Sequence, residues 1–189
     1  MDFHNNFCSD FFTVSPCEAD VEAVNCFAYP GAFPNAWVEG VSLLVMPGSE
    51  KPWVGHFLAG SESKKGANFY SDLPSGRDFL VVSKGIAYTV SAYNPQEWTE
   101  LKLRPVLDVC ISKKTQAIVL VGYTNLLVLM QDGSSWFTPS LSWDGIKDIE
   151  ESEGKIIGKG WDASIGKMVP FEIDITTRSY SGGAAPPNY

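Results

Sequence analysis

The sequence predicts an all-β fold, an antiparallel meander preceded by one short helix near the N-terminus. From residue 36 onward apolar residues alternate with polar ones or form short runs, a pattern typical of β-strands. Turn residues (Gly, Pro, Asn and Asp) separate these runs every eight to twelve residues. At 189 residues with 13% aromatic residues, the chain is long enough to bury a sizeable core.

The helix is predicted from a capping box at Ser15-Pro16-Cys17-Glu18. Cys17, Val21, Val24 and Ala28 then recur at helical spacing, and Tyr29-Pro30-Gly31 ends the segment. Composition indicates three regions: an acidic N-terminal segment with this helix at 1–34, a β domain at 35–180 and a mobile tail at 181–189.

Strands follow one another through the β domain, and the hairpin signal Asp132-Gly133 separates two of them. The loop 60–77 is rich in Gly, Ser and Lys. The predicted strands are 41–46, 53–59, 79–83, 86–92, 98–103, 106–111, 117–122, 126–131, 135–137, 146–149, 155–159 and 169–176.

An internal repeat runs through these strands. Apolar triplets begin at Leu80, Ile118 and Ile156, which are 38 residues apart, and a Gly and an aromatic-bearing segment follow each triplet. With this spacing, residues 70–178 resemble blades of a β-propeller, whose four-stranded blades repeat every 40 to 45 residues or so. The resemblance implies a propeller-like arrangement; an open sheet or a two-sheet sandwich stays an alternative.

Negative charge is concentrated at the start of the chain. The first fifty residues carry seven carboxylates and no Lys or Arg, whereas the remaining residues carry fifteen acids and fourteen bases, which gives the net charge of −8. One-signed charge attracts oppositely charged partners and repels nucleic acid. The carboxylates are Asp2, Asp10, Glu18, Asp20, Glu22, Glu39 and Glu50.

Several classes of function are unexpected. The basic n-region of a secretory signal is missing, and the longest apolar run, 117–130, is shorter than the roughly 20 residues of a membrane-spanning helix. We therefore expect a cytoplasmic protein that binds neither nucleic acid nor membranes.

Motifs for cofactors and metals are weak. Residues 158–163 match the dinucleotide pattern G-x-G-x-x-A, but Gly166 and Pro170 leave no room for the helix that must follow, so we interpret the glycines as part of a β-hairpin. His56 is expected to be a hydrogen-bonded strand residue. The four cysteines lack zinc-type spacing and are interpreted as free, mostly buried thiols. No cofactor or metal is expected.

Six tryptophans are present, and most are expected in the core. Two of them are followed by Asp in predicted turns, where they could line a recognition patch. The acidic cluster at 148–153 is interpreted as a solvated hairpin tip. The predicted interaction residues are Asp10, Glu18, Asp20, Glu22, Trp143, Asp144, Trp161 and Asp162.

The leading hypothesis is a non-catalytic interaction protein that recognises a basic protein surface, as small acidic immunity proteins do. A second hypothesis is a hydrolase or carbohydrate-active protein that uses Asp or Glu with Trp platforms; no catalytic residue is assigned. A third is a self-associating module whose sheet is completed by a second copy, which would make the protein a homo-oligomer.

Overall fold

The computed structural model describes residues 6–7, 11–17, 24–31, 39–48, 50–61 and 64–185. Within these ranges the chain forms sixteen β-strands and no helix, which confirms the predicted all-β class. The strands make four sheets of four strands each. The chain divides into two compact units, Met1–Val106 and Leu107–Tyr189, and each unit contains two sheets. No helix long and apolar enough to cross a membrane occurs in this part of the chain.

The first sheet has an unusual strand order. Its strands are β1 (Phe12–Pro16), β2 (Asn25–Tyr29), β3 (Gly40–Pro47) and β4 (Trp53–Leu58). They lie in the order β1-β3-β4-β2, and β2 runs parallel to β4 whereas the other two pairs are antiparallel.

The predicted N-terminal helix is wrong. Ser15 and Pro16, its predicted cap and first residue, end β1, and Ser15 lies opposite Leu44 of β3. Ala28, its predicted last apolar contact, lies in β2 opposite His56. A capping box is a local signal, whereas β3 and β4 supply hydrogen bonds to both segments and bury Tyr29. Residues 18–23, the middle of the predicted helix, lie outside the described residues.

The second sheet is a simple meander, and it shares an aromatic core with the first. Tyr29 stacks on Phe57 with ring centroids 4.7 Å apart, and Phe57 packs edge-on against Phe79 at 6.2 Å. The Trp53 indole N–H donates to the Ala92 carbonyl at 2.9 Å, so this buried polar group is satisfied. The strands are β5 (Phe69–Asp72), β6 (Asp78–Ser83), β7 (Ile86–Ser91) and β8 (Trp98–Glu100).

The second unit contains two more meanders, and the predicted Asp132-Gly133 hairpin is confirmed between β11 and β12. Gly133 has a φ of 80°, which suits glycine at that turn. The third sheet contains β9 (Asp108–Ser112), β10 (Ala117–Val121), β11 (Leu126–Met130) and β12 (Ser135–Phe137). The fourth sheet contains β13 (Ile146–Ser152), β14 (Lys155–Asp162), β15 (Lys167–Asp174) and β16 (Tyr180–Gly182).

The internal repeat corresponds to these meanders. Leu80, Ile118 and Ile156 lie in β6, β10 and β14, each the second strand of its sheet. Four-stranded antiparallel sheets at this spacing are the units of a propeller-like architecture. The repeat is imperfect at β14, because Gly160 lies inside that strand, whereas Gly85 and Gly122 follow the ends of β6 and β10.

Both ends of the predicted β domain are joined to their neighbours by hydrogen bonds. β1 and β2, from segment 1–34, pair with β3 and β4. At the other end, Ser181 and Gly182 belong to β16, and Ala184 is buried with its N–H bonded to the Leu141 carbonyl at 2.9 Å. Residues 186–189 lie outside the described residues, and the domain boundaries at 34 and 180 stay predictions.

Candidate interaction surface

The fourth sheet has one buried face and one exposed face. Along β14, Ile156, Gly158 and Gly160 are buried, whereas Ile157 and Lys159 are exposed. A Cβ atom on Gly158 would lie 2.7 Å from the Phe171 ring, so the absence of a side chain lets that ring pack in the core. The G-x-G-x-x-A glycines are therefore hairpin strand residues, as the sequence predicts.

A single row on the exposed face places an apolar side chain between two acids. Ile157 is directly opposite Glu150 of β13 and Glu172 of β15. Directly opposite side chains on neighbouring strands have Cβ atoms about 5 Å apart. Ile157 is 37% exposed, so its side chain is accessible between the two carboxylates.

Two ion pairs flank this row. Lys155 Nζ lies 2.6 Å from Glu172 Oε1, and Lys159 Nζ lies 2.8 Å from Asp148 Oδ2. The hydrogen bond from Lys159 and its positive charge lower the pKa of Asp148, and the Glu172 carboxylate raises the pKa of Lys155. Both pairs are exposed, so they fix the positions of charges more than they stabilise the fold.

These side chains line a groove of 560 Å³ that crosses the sheet from β13 to β16. Its apolar part is formed by Ile157 and Pro170, and its polar part by charged side chains of three strands. The groove can therefore contact aliphatic and charged groups of a ligand together. Its principal side chains are Asp148, Glu150, Ile157, Lys159, Pro170 and Glu172.

A β-bulge distributes the acidic cluster that the sequence places at one hairpin tip. The register of β13 against β14 shifts between Lys147 and Glu150, and Asp148 has a φ of 54°. As a result Asp148 and Glu150 line the groove. Glu151 instead accepts bonds from the Ser112 hydroxyl at 2.8 Å and the Gly154 N–H at 2.9 Å, so only part of the cluster is a solvated tip.

The predicted Trp-Asp residues come together at one end of the fourth sheet. The Trp161 carbonyl accepts the Trp143 N–H at 2.9 Å, and the Trp161 N–H donates to the Ser142 hydroxyl at 2.9 Å. Ser142 is fully buried and donates to the Gly145 carbonyl at 2.8 Å, so it holds the two segments together. Both tryptophans are half-buried, and Trp161 lies opposite Met168.

The two aspartates of this region differ in their surroundings. Asp162 Oδ1 accepts the Ser164 N–H at 2.9 Å and the Ser164 hydroxyl at 2.6 Å, and these bonds lower its pKa. Asp162 therefore shapes the hairpin turn, whereas Asp144 is exposed. Ile165, at the tip of the same hairpin, is 57% exposed and adds apolar surface near Trp161.

Only two of the seven acids in the first fifty residues, Glu39 and Glu50, are among the described residues. Asp10, Glu18, Asp20 and Glu22 lie outside the described residues. Of the early acids that are described, Glu50 is exposed, and Glu39 forms an ion pair with Lys84 at 2.9 Å. Part of the early charge is therefore neutralised by the later chain.

Sequence reasoning missed a buried carboxylate that holds the start of the chain. Asp72 is fully buried at the end of β5, and its carboxylate accepts the N–H groups of Asn6 at 2.8 Å and Phe7 at 3.1 Å. The Asn6 amide also donates to the Ser71 hydroxyl at 3.0 Å. An isolated Asp in a strand gives no local signal for such a contact, because its partners are more than sixty residues away.

The histidine and cysteine predictions are partly confirmed. His56 Nδ1 lies 2.8 Å from the hydroxyl of Ser42, its cross-strand neighbour, as expected for a hydrogen-bonded strand residue. Cys26 and Cys110 are free thiols, and burial raises the pKa of Cys110. The prediction that the cysteines are mostly buried is wrong for the described ones, since Cys17 and Cys110 are half-buried and Cys26 is exposed. Among the described side chains no group of three or more His, Cys, Asp or Glu could hold a metal ion.

Comparison with known proteins gives structural matches only. No protein family and no curated protein matches this sequence. The N-terminal domain of Nup159 is similar to the chain with a TM-score of 0.45 and 10% identity, over 94% of this chain and 52% of that one. A chain of the S. cerevisiae complex of Dbp5 with Nup159, Gle1, IP6 and ADP is similar with a TM-score of 0.44 and 10% identity, over 98% of this chain and 52% of that one. The chain thus spans about half the length of the solved chains that it matches.

Proposed function

We propose that this chain is a non-catalytic binding protein of the cytoplasm that recognises a basic protein through the exposed face of its fourth sheet. The observation that carries this proposal is the row in which Ile157 lies between Glu150 and Glu172. Interaction sites commonly combine accessible apolar side chains with polar groups around them. Trp161 lies on the same face of β14, four residues after Ile157, and is half-buried.

The charge of the surface favours a basic partner. Three acids and one lysine, Lys159, line the groove, which leaves an excess of two negative charges in the lining, with Lys147 and Lys155 beside it. The negative charges of the N-terminal segment speed the encounter with such a partner. They are carried by Asp10, Glu18, Asp20 and Glu22. An immunity-type protein that neutralises a basic target is one form of this function.

The ionisation of Asp148 does not suit the acid catalyst of a glycoside hydrolase. A hydrolase needs one carboxyl group that stays protonated near neutral pH, which requires a raised pKa. Lys159 instead lowers the pKa of Asp148, so this carboxylate is charged and suited to binding cations.

Capture of partners from a lysate of the source cells tests the proposal. The immobilised protein should retain a basic protein at about 0.05 M salt and lose most of it at about 0.5 M, since screening weakens interactions between charges. Ile157→Lys should abolish retention. Phe137→Lys is the matched control, because Phe137 is 42% exposed in β12 of another sheet. Retention that survives Ile157→Lys, or does not change with salt, would contradict the proposal.

Self-association is a second candidate, favoured by the edge strand β16. All three of its residues are exposed, and Tyr180 is 52% exposed. Unprotected edges pair with other strands. Sedimentation equilibrium from micromolar to millimolar concentration tests this candidate, and a constant monomer mass would exclude it.

A further inference from the structure

The groove on the fourth sheet has the chemistry of a site for one long cationic side chain. Ile157 provides an aliphatic contact, and the register fixes a carboxylate on each side of it, at Glu150 and Glu172. The two acids differ, because Glu172 is bonded to Lys155 at 2.6 Å. Glu150 makes no hydrogen bond or ion pair with a described residue and acts on Lys159 through charge alone, so its carboxylate oxygens are accessible to a ligand.

We propose that this groove binds an arginine side chain of the partner protein, with the methylene chain on Ile157 and Pro170 and the guanidinium group on Glu150. This inference rests on the proposed function, of which it names the recognised group. The occupant is chosen by charge complementarity, since the lining carries three acids and one lysine, Lys159, which is already paired with Asp148.

Arginine fits the groove better than lysine. A guanidinium group is planar and weakly hydrated, and it binds a carboxylate through two parallel hydrogen bonds. Its three methylene groups can lie along an apolar surface while the charged head stays in contact with water. Because Ile157 and Glu150 are adjacent on neighbouring strands, one extended side chain can reach both.

The test is an NMR titration of the intact protein with N-acetylarginine amide. N-acetylcitrulline amide has nearly the same shape without the charge, and N-acetyllysine amide has the charge without the planar group. The arginine probe should shift the Ile157 methyl and Gly158 amide signals with a dissociation constant on the order of millimolar. The lysine probe should bind more weakly, and the citrulline probe should cause no shift.

Glu150→Gln should weaken the arginine probe about two- to fivefold, the range expected for an exposed charge pair. Glu153→Gln is the matched control, because Glu153 lies in the turn that joins β13 to β14. Its carboxylate is bonded to Lys114 at 2.5 Å. Both positions are exposed, and an unchanged amide spectrum verifies the fold of each variant.

Equal shifts from the citrulline probe, shifts located outside the groove, or no effect of Glu150→Gln would each overturn the inference. Partner capture separates the two proposals. Arginine binding without loss of the partner in Ile157→Lys would refute the proposed function and leave the arginine site in place. If the partner is captured in a salt-sensitive way and lost in Ile157→Lys, but the arginine probe does not bind, only the arginine site is refuted.

Discussion

The carboxylate of Asp72 and the backbone of Asn6 are joined by a hydrogen bond of 2.8 Å, although sixty-five residues separate them in the sequence. Because Asp72 is fully buried, its carboxyl oxygens need hydrogen-bond donors from the protein, and Asn6 and Phe7 supply two of them. The contact fixes the position of the first described residues on β5.

Replacing Asp72 should release these residues. Asp72→Ala leaves the Asn6 and Phe7 N–H groups without this acceptor and should lower the free energy of unfolding by about 1–3 kcal/mol. Amide hydrogen exchange at Asn6 and Phe7 should become much faster. Asp78→Ala is the control, since that carboxylate accepts an exposed Ser75 hydroxyl at 3.1 Å and is not bonded to residues 6–7. Unchanged amide exchange in Asp72→Ala would show that the Asp72 side chain does not hold Asn6 and Phe7 in place.

Gly160→Ala should destabilise the second unit. A Cβ atom there would lie 1.9 Å from the Leu141 carbonyl oxygen, so the backbone would have to move. We expect a loss of about 1–3 kcal/mol, as for other overpacked sites, measured by urea unfolding. Gly31→Ala should change stability by less than about 0.5 kcal/mol, because no atom of the described residues, apart from its chain neighbours, lies within 4 Å of the added Cβ. Equal stability of the two variants would contradict the close approach of Leu141.

Tyr29 should make the protein sensitive to alkali. Burial raises the pKa of its hydroxyl, which donates to the Pro95 carbonyl at 2.9 Å. The neutral hydroxyl is therefore favoured in the folded state. Its contribution to the free energy of unfolding is fully present below about pH 10, the pKa of tyrosine in the unfolded chain, and is lost as the pH rises above that value. Tyr29→Phe should reduce the fall in urea midpoint between about pH 9.5 and 11.5.

Tyr180→Phe provides the comparison for this experiment, because Tyr180 is an exposed tyrosine of β16. Its urea midpoints should follow those of the wild type across the same range. If the urea midpoint of Tyr29→Phe falls as steeply with rising pH as that of the wild type, groups other than Tyr29 cause the loss of stability in alkali.

Lys159→Met should raise the pKa of Asp148. The hydrogen bond and charge of Lys159 hold that pKa below its usual range, so the pair contributes stability above the unfolded pKa, and the contribution is lost as the pH falls through the folded pKa. Carboxyl ¹³C NMR titration measures the change directly. Lys147→Met should have a smaller effect, because Lys147 acts on Asp148 through charge alone. An unchanged titration in Lys159→Met would mean that the ion pair does not form in solution.

The fold class could be predicted because strand periodicity is a property of neighbouring residues. The apolar run at Ile156-Ile157-Gly158 indicates a strand, and the repeat at Leu80, Ile118 and Ile156 identifies equivalent strands. The helix prediction failed because its signal was equally local, whereas strand pairing with β3 and β4 decided the outcome.

The site could be predicted only in part. The Trp-Asp pairs indicated surface residues, but the partnership of Trp143 with Trp161 depends on the buried Ser142. The row of Glu150, Ile157 and Glu172 joins three strands, and a bulge in β13 sets its register. No local pattern specifies the number of residues in that bulge, so the acidic cluster gave no indication of the groove.

The position of β2 has a consequence for the order in which the first sheet forms. Among the described strands β2 hydrogen-bonds only to β4, and β4 is synthesised later, after the whole of β3. A nascent chain therefore carries β2 without its partner until the β3–β4 hairpin has emerged from the ribosome. Tyr29, which lies in this strand, therefore stays without its stacking neighbour Phe57 until β4 has been made.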